Sequence, residues 1–141
     1  MKRLTTRVER ELETAVNEAV EMLEKEGIDY RLVGTSALRL MGFDVPWGGD
    51  VDILCDRSPE GATLGYDPTN PQKTRLPSGG KADFIDAQDK GREEFWSNPP
   101  RVLALGEGRF VLSSDLTDVL GLKAWVGRPK DREFFDTIVA G

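Results

Sequence analysis

With 19 basic and 25 acidic residues among 141, the chain carries a formal net charge of −6, so a broad electrostatic footprint on nucleic acid is not expected. It holds no histidine and one cysteine, which excludes an intramolecular disulfide, the common zinc sets and every histidine-dependent catalytic arrangement. General acid or base work falls to carboxylates, lysine or tyrosine, with a metal ion as the other source of activation.

The length suits one domain, 1–141, that buries roughly two-thirds of its unfolded surface by size scaling. Residues are 38% hydrophobic and 31% charged, as in soluble globular proteins, and no apolar run approaches the ~18 residues of a membrane span. The N-terminus is charged from Lys2 onward and lacks a hydrophobic leader core, so a cytoplasmic location without membrane association is expected.

From Thr5 to Glu26, Val8, Leu12, Ala15, Val16, Ala19, Val20 and Leu23 recur at three- and four-residue steps, the stripe of an amphipathic helix. Gly27 stands where a left-handed residue closes such a helix. Ile28–Val33 reads as a strand. Gly34 then makes a small-residue turn into a short helix, Ser36–Met41, closed by Gly42. Phe43–Gly49 is a loop, in which Trp47 either packs under the chain or stacks on a base.

The loop delivers the strand Asp50–Leu54. Side chains at i and i+2 of a strand point the same way, so Asp50 and Asp52 share one face while Val51 and Ile53 fill the other. Two carboxylates held that close repel unless a cation sits between them. Hard oxygen donors suit Mg²⁺, which takes one or two carboxylates together with substrate phosphates. A glycine turn brings backbone N–H groups toward an anion, and a nearby hydroxyl adds a donor. The pairing of turn and acids points to a metal-dependent nucleotide site.

Arg57–Gly80 is rich in proline and glycine and reads as a long loop with a short strand near Ala62–Tyr66. Lys81–Ala87 forms a third strand carrying Asp83 and Asp86 on opposite sides. Asp83 is the better candidate, because Asp86 lies at the strand's end, where acids are commonly solvated. Arg101–Leu105 and Arg109–Leu112 make a hairpin. Ser113 and Ser114 are candidate caps for a helix from Asp115 to about Val126, and Lys130–Ala140 forms a last helix, so 115–140 is a helical C-terminal segment.

Two other motifs fail. Ser78-Gly79-Gly80-Lys81 resembles a P-loop, but Arg75 replaces its first glycine and Ala82 its metal-binding hydroxyl residue. An EF-hand reading fails because Leu54 takes a ligand position and Cys55 the required glycine. Cys55 reads as a buried small side chain.

The segments Val33-Gly34-Thr35-Ser36-Ala37-Leu38, Gly49-Asp50-Val51-Asp52-Ile53 and Ala82-Asp83-Phe84-Ile85 together resemble the turn, two-acid strand and third-acid strand of the nucleotidyltransferase superfamily. Leu122-Lys123-Ala124-Trp125 with Gly127-Arg128-Pro129-Lys130-Asp131-Arg132 is similar to the C-terminal segment of its minimal, abortive-infection and toxin-like branch. The resemblance implies an α/β (α+β) domain, with a small mixed sheet flanked by helices. It implies that Asp50 and Asp52 hold Mg²⁺ or Mn²⁺, with Asp83 completing the metal shell or taking a proton. The implied reaction moves a nucleoside monophosphate from an NTP to a tRNA end, a protein or a small molecule.

Thr35 stands where the family prefers glycine or serine, so the phosphate-facing hydroxyl is on Ser36 or on Thr35. Lys123, Arg128, Lys130 and Arg132 form a dense basic cluster that is either a solvated helix end or a neutraliser of the β- and γ-phosphates, with Asp131 orienting one of its cations. The family reading brings a possible antitoxin partner. The competing readings are a catalytically silent module of the same fold that binds nucleotide or a partner, and an antibiotic-modifying enzyme, for which the chain lacks room for the usual extra helical domain.

Overall fold

The computed structural model describes residues 7–62, 73–87, 96 and 98–120. Helix α1 (Arg7–Glu24) follows the apolar stripe: Leu12, Ala15, Val16, Ala19, Val20 and Leu23 are all buried. It ends as its sequence dictates. Gly27 takes φ +67°, its N–H donates to Glu24 O at 3.1 Å, and that of Ile28 donates to Leu23 O at 3.0 Å, satisfying carbonyls the helix leaves open.

Strand β1 (Tyr30–Val33) runs directly into α2 (Gly34–Leu40), and β2 (Asp50–Cys55) follows the loop. Next come β3 (Lys73–Arg75), β4 (Lys81–Asp86), β5 (Arg101–Ala104), a 3₁₀ turn at Gly106–Gly108 and β6 (Phe110–Ser113). The six strands form one mixed sheet in the order β3-β4-β2-β1-β6-β5. Strands β2 and β4 are parallel, as are β1 and β6, while β1–β2, β3–β4 and β5–β6 are antiparallel.

Alternation splits this sheet into two faces. Leu32, Val51, Ile53, Ala82 and Phe84 are fully buried in one core with α1, each such large side chain contributing roughly 1.5–3 kcal/mol. The opposite face is divided. Asp50 and Asp52 lie at its leading end, and a small apolar cluster of Val33, Leu54, Ala87, Ile85 and Trp96 lies beyond them.

Two expectations need correction. Arg57–Gly80 is not loop throughout: Lys73–Arg75 pairs with β4 through a tight turn, in which Leu76 N–H donates to Gly80 O at 2.7 Å and Gly79 adopts φ +102°. An edge strand with charged residues at Lys73 and Arg75 gives no hydrophobic alternation to read, and such charges protect an exposed edge. The expected strand near Ala62–Tyr66 falls, apart from Ala62, outside the described residues.

The cap of the helix at 116–120 is also different: Asp118 N–H donates to Asp115 Oδ1 at 2.8 Å. Ser113 Oγ instead donates within the core to Leu32 O or Ser114 O, at 3.2 and 2.8 Å. The rest of that helix, and the one expected at Lys130–Ala140, lie outside the described residues. Among the described residues no helix is long and apolar enough to cross a membrane. Cys55 is buried, as expected.

Candidate active site

Register gathers the chemistry. Asp52 pairs with Asp83 across the parallel β2–β4 ladder, Lys73 pairs with Asp83 from β3, and Val33 pairs with Asp52 from β1. One row across the sheet therefore reads Lys73, Asp83, Asp52, Val33. The adjacent row on the same face reads Arg75, Lys81, Asp50. Three acids and three bases thus share one patch, because paired and i+2 positions point to the same side. Asp83 is the most enclosed acid of the patch, at 9% exposure.

Gly34 closes the other side. Its φ of +69° is left-handed, and a Cβ there would lie 2.5 Å from Asp52 Oδ2. Glycine is thus required twice, for backbone conformation and for room beside the carboxylate. The loop ahead of Asp50 is buckled onto α2: Ser36 Oγ donates to Asp50 O at 3.0 Å, and Trp47 Nε1 donates to Ser36 Oγ at 3.1 Å and Asp50 O at 2.9 Å. Arg39 Nη1 donates to Val45 O at 2.7 Å from the same helix. Ser36 is 1% exposed, so its hydroxyl ties α2 to β2, whereas Thr35 is only half-buried. The indole of Trp47 is likewise used in packing, and it touches the main core.

Lys73 had no place in the sequence reading. Its Nζ donates to Asp50 Oδ2, forming an ion pair in which both side chains are 35% exposed. Lys73 and Arg75 were concealed by the loop-like composition around them, and Lys81 stood at the start of a strand read for its acids. The usable signal was their period of two, Lys73-x-Arg75 and Lys81-x-Asp83, matching that of Asp50-x-Asp52. Lys123, Arg128, Lys130 and Asp131 lie outside the described residues. Far along the same face, the Arg31 guanidinium sits 4.6 Å from the centre of the Trp96 ring, a cation–π contact.

A cavity of about 460 Å³ opens between α1, Trp47, Gly49 and the Ser78–Gly80 turn, and none of the three acids lines it. Among the described residues no group of three or more acidic or cysteine side chains is gathered to hold a metal ion. In donor type and backbone placement, however, Asp50, Asp52 and Asp83 fit a hard divalent cation: all are carboxylates, on adjacent strands and on one face.

No protein-family model matches the sequence, and no curated protein matches it. The crystal structure of an antigenic nucleotidyltransferase-like protein from Paracoccidioides brasiliensis is similar in fold, with a TM-score of 0.60 at 18% identity over 92% of this chain and 74% of that one. The six-stranded mixed sheet with its helices is therefore similar to a nucleotidyltransferase-like fold.

Proposed function

We propose that the chain is a divalent-metal-dependent nucleotidyltransferase that moves a nucleoside monophosphate from an NTP to a hydroxyl or phosphate acceptor. The observation that carries this reading is the placement of Asp50, Asp52 and Asp83 on one sheet face, with Asp52 and Asp83 in register and Gly34 against Asp52. Mg²⁺ or Mn²⁺ bound there supplies charge for an in-line displacement.

The residues divide the remaining work. Asp50, Asp52 and Asp83 would hold the ions, and Asp83, the most enclosed, would receive the acceptor's proton. The acceptor oxygen bonds to the α-phosphorus as the bond to pyrophosphate breaks. Gly34 keeps the turn close to the acids, and Thr35 offers the available hydroxyl to phosphate, since Ser36 is engaged with Asp50 O. In the segment 121–141, Lys123, Arg128 and Lys130 would meet the outer phosphates, with Asp131 orienting them. The toxin-like setting, with an antitoxin partner, rests on the sequence resemblance of that segment. A cytoplasmic protein would find NTP and Mg²⁺ at hand.

One observation favours a second reading, a catalytically silent nucleotide- or partner-binding module: Lys73 already neutralises Asp50. Incubation with each labelled NTP and Mg²⁺ or Mn²⁺ separates the two. Pyrophosphate release that disappears in Asp50→Ala/Asp52→Ala supports the enzyme. Metal-nucleotide binding without turnover supports the silent module, and activity surviving in the double variant removes the metal assignment.

A further inference from the structure

Lys73 reaches past its own partner. Its strand pairs with β4, where its register neighbour is Asp83, yet its ammonium is bonded to Asp50 on β2, one strand further in. This places a positive charge over the acid row, on the face where a divalent cation would have to sit. Arg75 provides an internal comparison: it has the same charge, strand and face, and it pairs with Lys81 rather than with an acid.

We propose that Lys73 is a resident counter-ion of the acid patch, holding Asp50 in the metal-free protein and yielding it when a divalent ion and nucleotide bind. This rests on the nucleotidyltransferase reading of the site. Removing one positive charge from beside the acids leaves the patch more negative and frees Asp50 as a ligand, so bare metal binding strengthens. Displaced from Asp50, the ammonium lies beside the site on a flexible stem, placed to meet the phosphates of an incoming nucleotide. Lys73 therefore opposes bare metal and favours metal with nucleotide. A merely structural surface pair has no such change of sign.

The test is Mn²⁺ binding by the full chain, followed by titration calorimetry and electron paramagnetic resonance, with and without a non-hydrolysable NTP analogue. Lys73→Met and Lys73→Gln, the latter keeping much of the polar stem, should bind bare Mn²⁺ about tenfold more tightly than wild type, as expected for loss of one nearby repelling charge. With the analogue present they should bind it more weakly than wild type. Arg75→Met should shift bare Mn²⁺ affinity less than threefold.

Bare Mn²⁺ affinity unchanged in both Lys73 variants overturns the proposal while leaving the site reading intact. So does equal tightening in Arg75→Met, which would make the effect one of general charge. Undiminished binding in the presence of the analogue overturns the transfer to phosphate. Absence of Mn²⁺ binding from wild type and all variants overturns the site reading and the proposal together.

Discussion

Gly34 and Asp52 meet at a distance that leaves no space for a side chain: a Cβ on Gly34 would stand 2.5 Å from Asp52 Oδ2 and 3.2 Å from Asp52 Cβ. Gly34→Ala therefore incurs both left-handed backbone strain at φ +69° and displacement of the carboxylate. Gly27, at φ +67° with nothing within 4 Å, isolates the first term. We expect Gly27→Ala to cost about 1 kcal/mol and Gly34→Ala about 2–4 kcal/mol. Urea unfolding checks the difference, and equal costs would mean that Asp52 yields without penalty. Only Gly34→Ala should lower the proposed nucleotidyl transfer.

The entry to β2 is held by a three-centre contact among Ser36, Trp47 and the Asp50 carbonyl. Ser36→Ala and Trp47→Phe should each cost about 1–2 kcal/mol, the usual range when a buried partner is lost. The two losses share an acceptor, so the double variant should fall short of their sum by about 0.5–1 kcal/mol. A double-mutant cycle by chemical denaturation measures this. Strict additivity would show that the two side chains act separately.

Much of this arrangement was legible in the sequence because it follows from local periodicity. The stripe from Leu12 to Leu23 gave α1, the alternation around Asp50 and Asp52 assigned their face, and the Gly34 turn was visible from composition. What escaped depends on pairing across the chain. Nothing local says that β6 lies parallel to β1 through Leu32 and Ser113, or that Lys73, 23 residues beyond Asp50, bonds its carboxylate. Edge strands such as β3 are held by backbone bonds and carry charge for solubility, so the residues that complete the patch look like loop. Ser113 and Ser114 fit a capping pattern equally well, but Ser113 is drawn into the core bonds between β6 and β1 and the cap passes to Asp115.

Tyr30 gives a pH-dependent test of how β1 holds β6. Burial pushes its hydroxyl ionisation above the ordinary value of 10.0; the bond from Leu112 N–H opposes this, Glu24 reinforces it and Arg109 opposes it. Between pH 10 and the raised folded value, the unfolded chain has lost a proton that the folded chain keeps. Stability therefore falls as pH rises through that window and is unaffected well below it. Tyr30→Phe removes the acceptor of the 3.2 Å bond from Leu112 N–H. It should cost about 1 kcal/mol at neutral pH and flatten the alkaline slope. Urea midpoints from pH 7 to 11 for both proteins decide it, and an unchanged slope in the variant would acquit Tyr30.

Asp52 and Asp83 face each other in register on parallel strands, an arrangement that suits the proposed cation site more than it suits stability. Like charges directly opposed in a sheet are destabilising by roughly 0.2–1 kcal/mol. Asp83→Asn preserves shape and removes one charge, so the metal-free variant should melt slightly higher than wild type. Under the proposed function its transfer activity should drop by about 10²-fold or more, the scale of a lost general base. If Mn²⁺ binds at the proposed site, the rise in melting temperature that it brings should shrink with it, because binding to the folded state is the source of such a rise. Asp52→Asn should behave in the same way. Combining the two should bring no further gain in metal-free stability, since the first substitution already abolishes the repulsion. Thermal unfolding of the four proteins, with and without Mn²⁺, measures each of these changes. A metal-free loss of stability in both single variants would show that the carboxylates hold the sheet together, and it would move Asp83 from the chemistry to the scaffold.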